Sequence, residues 1–436
     1  MTGTRPNTRT RREFLELGTA AAVGVAVSPR PLWSSSALDE VGLGIIGCGT
    51  RGFHLLRAFQ SVKGARIIAV CDVHRGRLQR AKDQAGSQVL ATEDYRAILD
   101  RKDVDAVVVA TPDHWHVLIT IHACQAGKHV YVEKPLGVTI AEGRAAVRAA
   151  RKYGRVVQIG TQQRSWPHYH EAVEIIRSGR LGEITEVKVW DYENQYPGFG
   201  LAPDEPPPPE LNWDMWLGPC RVVPYNRNRF LHHYWFFDYG GAWQVDWAVH
   251  HYDIVHWAMG VKWPRAAVAM GGKYFCNDNR DWPDTFEGIL EYGPCELAPR
   301  GFVLQYTFRG GCRGQRRNHG KLFCGTRGSL LLDRSGYTIV GETRQGRKLA
   351  EDLDKRATEP PHHQREFIEN VRAGRKPFAD VEEGHYATNP GHLLNIAWRL
   401  GRRIEWDGEN ERVVGDEEAN RLLSRPFRSP WELPSV

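Results

Sequence analysis

Val41-Gly-Leu-Gly-Ile-Ile46 runs straight into Gly47-Cys-Gly49-Thr-Arg-Gly52. The first six residues are an apolar run of the length of a buried strand. Phe53, Leu55, Leu56 and Phe59 then recur at the spacing of a helix face. A GxGxxG between a strand and a helix is the context that a dinucleotide-binding loop requires. Its glycines permit a tight turn, close approach of backbone to a pyrophosphate, and packing of helix on strand. The helix N-terminus then offers free N–H groups to the phosphates. A second strand, Arg66-Ile-Ile-Ala-Val-Cys71, ends in Asp72, 20 residues past Gly52, where a ribose-binding carboxylate is expected. That carboxylate favours NAD, because it would repel a 2′-phosphate; Arg75 and Arg77 beside it keep NADP open. Gly47, Gly49, Thr50, Arg51, Gly52 and Asp72 are the expected cofactor contacts.

The pattern continues outward. Val104 to Ala110 reads as a third strand, ending in Thr111-Pro-Asp-His-Trp-His116. A helix over Val117 to Ala126 leads to the strand His129–Val132 and then Glu133-Lys-Pro135. Strand C-termini are where doubly wound sheets bind ligands, so Thr111, Pro112, His116, Glu133 and Lys134 should face the nicotinamide half. Lys134 reads either as a proton shuttle at a strand end or as a surface lysine before a proline turn. Val156 to Gly160 supplies a further strand, giving a dinucleotide-binding domain over residues 38–161. The remainder, 162–436, reads as an α+β domain, with a C-terminal segment from about 377 packing back. Short alternating runs separated by glycine turns between Ala266 and Ile339 predict an antiparallel sheet, and Gly391 to Leu400 predicts a closing helix. Five prolines between Pro203 and Pro209 predict an extended surface loop or an arm onto a neighbouring subunit.

Chemistry concentrates between residues 210 and 260, which hold six of the 15 Trp and a run of histidines. Asp246 and His250 are four apart; on one helix they would share a face, and the carboxylate would orient the imidazole as a general base. Arg164 is a candidate for a sugar hydroxyl or carboxylate, or an edge arginine. Trp243 is a candidate wall of a sugar pocket, and His251 a further substrate contact. His250, Asp253 and His256 have loose metal spacing, but no strong metal motif stands in the chain, and no metal is expected.

Gly47-x-Gly49-x-x-Gly52, Thr111-Pro-Asp-His-Trp-His116, Glu133-Lys-Pro135 and Gly240-Gly-Ala-Trp-Gln-Val-Asp246-Trp-Ala-Val-His250 together resemble the glucose–fructose oxidoreductase / inositol dehydrogenase / MocA (Gfo/Idh/MocA) family. Ala248 stands where the family usually has glycine. The resemblance spans residues 40–436. It implies a Rossmann domain followed by an α+β domain with a large open, mostly antiparallel sheet, and tightly held NAD. Lys134, Asp246 and His250 fall on the catalytic positions, and a homodimer or homotetramer through the sheet is implied. His362-His-Gln-Arg-Glu-Phe367 and Pro430-Trp-Glu-Leu433 resemble the exported bacterial branch.

The first 37 residues read as an address. Arg11-Arg-Glu-Phe-Leu15 precedes an uncharged stretch of 13 residues, Leu17 to Pro29, and then Ser34-Ser-Ser-Ala37. That stretch is too short to span a bilayer. The layout resembles a twin-arginine signal, which implies passage of the folded protein through that export machinery to the periplasm. Five Arg and two Glu lie in the first 38 residues, so of the formal +6 the remainder carries a net +3. With no basic stripe, nucleic acid is not an expected partner. Eight separated Cys make neither a disulfide framework nor a zinc site.

Three functions follow. One is an NAD(P)-dependent oxidoreductase on a sugar, cyclitol or glycoside. Another is a redox-neutral glycosidase or lyase working by transient oxidation, elimination and re-reduction. The third is a non-catalytic binding protein, against which the Lys134, Asp246 and His250 set argues.

Overall fold

Apolar runs become buried strands wherever both faces of a sheet are covered. Strands β1 (Val41–Ile46), β2 (Ala65–Cys71), β3 (Leu90–Thr92), β4 (Ala106–Val109), β5 (His129–Val132) and β6 (Val157–Ile159) form one parallel sheet. Its order is β3-β2-β1-β4-β5-β6, and every residue of β1 and β4 is buried. The winding reverses between β1 and β4, so the loops after these two strands flank the switch point where such sheets bind ligands. Those loops carry Gly47–Gly52 and Thr111–Pro112. The computed structural model describes residues 40–314, 317–360 and 362–436. The signal-like segment lies outside the described residues.

The second sheet has ten strands, in the order 353–356, 336–341, 328–333, 319–325, 184–192, 302–309, 285–292, 266–272, 404–407, 412–413. All neighbours are antiparallel except 302–309 with 184–192. Along Thr285–Tyr292 buried positions alternate with more open ones, the signature of a sheet with one covered face. The covered face receives helix Val381–Leu400, and helix Val249–Met259 sets Tyr252 against Tyr306 and His256 against Tyr292. Gly288 permits the close fit, since a Cβ there would stand 2.7 Å from the Leu394 Cδ1. The helix expected over 391–400 begins ten residues earlier. Asp380 caps it by accepting from the Glu382 N–H, and it runs through Pro390.

Later segments return to the first sheet. Helix His363–Ala373 packs Phe367, Ile368 and Val371 among the residues around Phe59 and Tyr131. Near the C-terminus Trp431 meets Trp115 edge-on at 4.9 Å. The proline-rich stretch is largely exposed and is pinned by Arg75, which donates to the carbonyls of Pro209 (side chain) and Glu210 (backbone N–H). Among the described residues no helix is long and apolar enough to cross a membrane.

Candidate active site

Three glycines shape the loop after β1, and the structure separates their roles. Gly47 has φ +90°, and a Cβ there would lie 2.5 Å from the Ala110 carbonyl oxygen. A Cβ on Gly52 would lie 1.8 Å from the Gly47 oxygen. These two make the turn and the packing. Gly49 has φ −62°, and the one neighbour of an added Cβ is Arg77 Nη1 at 3.6 Å. It therefore guards open space at the N-terminus of helix Thr50–Gln60, where a pyrophosphate needs the backbone to come close. At the end of β2, Asp72 accepts from the Cys48 N–H at 2.7 Å and the His74 N–H at 2.8 Å. Burial raises its pKa, and those two N–H groups and Arg77 work against the rise. Arg75 is committed to the proline-rich loop, whereas Arg77 lies over the Phe230 ring and lines the cavity.

The far side of the cradle is equally anchored. Both ring nitrogens of His116 face carbonyl oxygens, Pro135 at 2.7 Å and Thr111 at 2.9 Å, which ties the loop after β4 to the turn after β5. Glu133 accepts from Arg51 Nε at 2.7 Å. The Thr111 hydroxyl is buried with no protein partner among the described residues. Open space at Gly49, a carboxylate at the ribose position and an orphaned hydroxyl at the switch point all fit a dinucleotide.

From this cradle a cavity of about 570 Å³ extends to Lys134, Asp246 and His250. Lys134 Nζ donates to Asp246 Oδ1 at 2.8 Å and to the Asp246 carbonyl at 2.9 Å, which uses two of its three N–H donors. Burial pushes the Asp246 carboxyl pKa up, and the Lys134 ammonium opposes this. Burial also works against ionisation of Asp113. His233, 3.6 Å away, together with His116 and Lys134 nevertheless holds that carboxyl below its ordinary value. His250 is buried, and burial, then Lys134 and Arg334, drive its pKa well below the usual imidazole value. It is a neutral ring whose Nδ1 has no partner among the described residues.

Several expected roles change. Asp246 does not orient His250. A short helix, Trp243–Asp246, stops before Val249–Met259 begins, so the two residues do not share one helix face, and Asp246 turns to the Lys134 ammonium instead. Arg164 is no substrate contact. It is buried, donating to Asp253 Oδ1 at 2.7 Å and Glu383 Oε2 at 3.2 Å. His251 lies outside the cavity lining and meets Asp191 Oδ1 through Nε2 at 3.0 Å. Trp243 stacks between Trp247 and Phe308, and Trp247 takes its place on the cavity wall. His250, Asp253 and His256 diverge to the cavity, to Arg164 and to the Tyr292 hydroxyl.

The cavity also gathers Gln162, His233, Tyr234 and Arg334, which sequence reasoning did not single out as site residues. Trp247 and His233 stood inside the aromatic and histidine-rich stretch and could have been found there. Arg334 lies in a hairpin turn between two strands and carried no signal.

A parallel sheet with a glycine loop, an acid after its second strand and a neighbouring sheet-based domain defines a Rossmann-type dinucleotide-binding protein. The chain belongs to the Gfo/Idh/MocA oxidoreductase family. A model described as "Oxidoreductase family, NAD-binding Rossmann fold" matches residues 41–161, and one described as "Oxidoreductase family, C-terminal alpha/beta domain" matches 172–267 and 346–433. An inositol 2-dehydrogenase of Salmonella typhimurium (strain LT2) is 36% identical over 144 residues, covering 33% of this chain and 42% of that protein. A glycosyl hydrolase family 109 protein of Shewanella baltica (strain OS155) is 29% identical over 201 residues, covering 40% and 44%. The chain thus matches less than half the length of these relatives. Levoglucosan dehydrogenase in complex with NADH superposes with a TM-score of 0.64 at 18% identity, over 84% of this chain and 99% of that one, a likeness of fold.

Proposed function

We propose that the chain is an NAD(P)-dependent oxidoreductase acting on a CH–OH group of a sugar, cyclitol or glycoside. The observation that carries this reading is that Lys134 and the neutral His250 line the same cavity as the dinucleotide cradle. Gly49, Asp72, Thr111 and the N-terminus of helix Thr50–Gln60 would hold NAD, which supplies the hydride acceptor when bound. Lys134, braced by Asp246, keeps one N–H to stabilise negative charge on a substrate oxygen. The neutral His250 imidazole accepts the hydroxyl proton. Because its pKa lies well below the ordinary value, it is already in the basic form at neutral pH. The Salmonella relative supports the dehydrogenase reading.

The Shewanella relative supports a second reading, in which oxidation is transient and a glycosidic bond is eliminated before the hydride returns. Export of the folded protein to the periplasm, with NAD already bound, would favour this course, because no exchangeable cofactor pool exists there. The open sheet face, with Met270, Ile289 and Val303 exposed, is the surface we assign to subunit pairing. The test starts from mature protein purified without added cofactor. One aliquot is denatured and its released dinucleotide identified by chromatography; another receives sugars and aryl glycosides, with reduced nicotinamide and aglycone followed together. Accumulating reduced cofactor supports the dehydrogenase. Aglycone release without net reduction overturns it in favour of the redox-neutral reaction.

A further inference from the structure

Arg334 occupies the turn between strands Gly328–Asp333 and Gly336–Gly341 and lines the catalytic end of the cavity. Its Cζ lies 4.6 Å from the centre of the Trp247 ring, and Trp247 meets His250 edge-on at 5.5 Å. The guanidinium is therefore one indole away from the proposed base. Its charge is among those that depress the His250 pKa.

The other cations lining this end are matched: Lys134 with Asp246 and Arg51 with Glu133. Arg334 is not. Among the described residues no acceptor takes a hydrogen bond from it, and its Nε is buried without a partner. The acids around it are already committed. Asp333 accepts from Arg317 Nη1 at 2.8 Å and the Ser335 N–H at 2.7 Å. Asp191 is held by His251 at 3.0 Å and by the Tyr306 hydroxyl at 3.3 Å. A half-buried cation with no counter-charge is costly, and the cost is recovered when an anion enters. A single guanidinium fork matches one carboxylate bidentately. A phosphate dianion would call for a second cation without a counter-charge, and the other cations lining this end, Lys134 and Arg51, each already face a carboxylate.

We propose that Arg334 recognises a carboxylate and that the substrate is an acidic sugar of the uronate or aldonate class. This deepens the oxidoreductase reading and rests on it for the reaction, but binding can be tested without turnover. Wild type, Arg334→Gln and Arg334→Lys would be titrated with the pairs D-glucose/D-glucuronate and D-galactose/D-galacturonate, with D-gluconate and with D-glucose 6-phosphate. Tryptophan fluorescence, sensitive to Trp247, and calorimetry would report affinity with and without NAD. The expected result is that at least one acid binds about tenfold tighter than its neutral partner. Arg334→Gln abolishes that preference, Arg334→Lys keeps part of it, and NAD affinity is unchanged in both. Equal binding of acid and neutral sugar across the panel overturns the proposal, as does a preference that survives Arg334→Gln. Tighter binding of the sugar phosphate overturns the carboxylate assignment. Absence of NAD binding by the wild type would count against the oxidoreductase reading instead, so the two failures are distinct.

Discussion

The two sides of the cavity are built from different material. The dinucleotide side is mostly backbone: two glycines make a turn, a third leaves a gap, and Asp72 is held by two main-chain N–H groups. The substrate side is mostly side chain: Trp247 and His250 come from one stretch, Arg334 reaches them from a distant hairpin turn, and ring contacts and charge place the three. A backbone device is written in consecutive residues and tolerates little change. A side-chain device depends on tertiary approach and can be altered residue by residue. If this contrast holds, substitutions on the substrate side should separate chemistry from cofactor binding. The largest such effect is expected from Lys134→Ala and His250→Ala. Each should lower kcat by about 10²–10⁴-fold, the usual worth of a positioned acid or base. NAD affinity, measured by calorimetry, should be largely unchanged. Wild-type turnover in both would remove these residues from the mechanism.

Arg164 offers the next test, because its sequence position suits a substrate contact or an edge arginine and it is found in the core. With Asp253 fully buried, Arg164→Met leaves an uncompensated acid. Breaking such a pair costs about 3–5 kcal/mol, to be read by denaturant unfolding. The KM for the substrate found by the assay proposed above should hold. A raised KM at unchanged stability would return Arg164 to the substrate site.

The same contrast explains what was legible beforehand. The loop Gly47–Gly52, Asp72, the Lys134 strand end and the mostly antiparallel second sheet all follow from local pattern, because strand period and glycine spacing are local properties. The placement of Asp246 failed because four-residue spacing implies a shared face only within one helix, and the helix stops at Asp246. Trp243 and Trp247 are equivalent by composition; only their stacking order decides which one meets the cavity. Arg334 was invisible because its meaning lies in what it lacks, a partner, and partners are a tertiary fact.

The glycines allow a sharper cut within the backbone-built side itself. Gly49→Ala meets no clash, so Tm should stay close to wild type while NAD binding weakens by about tenfold, or ~1.4 kcal/mol. Gly52→Ala drives a Cβ into the Gly47 carbonyl and should lower Tm and NAD affinity together. Equal thermal damage from both would mean that Gly49 is a packing glycine and that the gap beside it has no ligand role.

The smallest effect concerns the acid behind the substrate wall. Burial raises the Asp191 pKa from 3.8 to about 7, with His319 and Tyr306 opposing the rise. The folded state thus holds its proton more tightly than the unfolded chain does. The associated stability is fully present below the unfolded pKa and is lost as pH rises through about 7. Asp191→Asn keeps an acceptor for Tyr306 and His251 but cannot titrate. Between about pH 4 and 7 the wild-type Tm should therefore fall relative to that of the variant, and the difference should level off above that range. Asp72, its counterpart on the other side, is also raised by burial, yet its partners are main-chain N–H groups that cannot change protonation. Asp191 instead faces His319 and Lys321, whose pKa values burial lowers to about 4 and about 7, so their own charges respond to pH in the same range. Parallel Tm profiles for wild type and Asp191→Asn would show that Asp191 holds its proton no more tightly in the folded protein than in the unfolded chain.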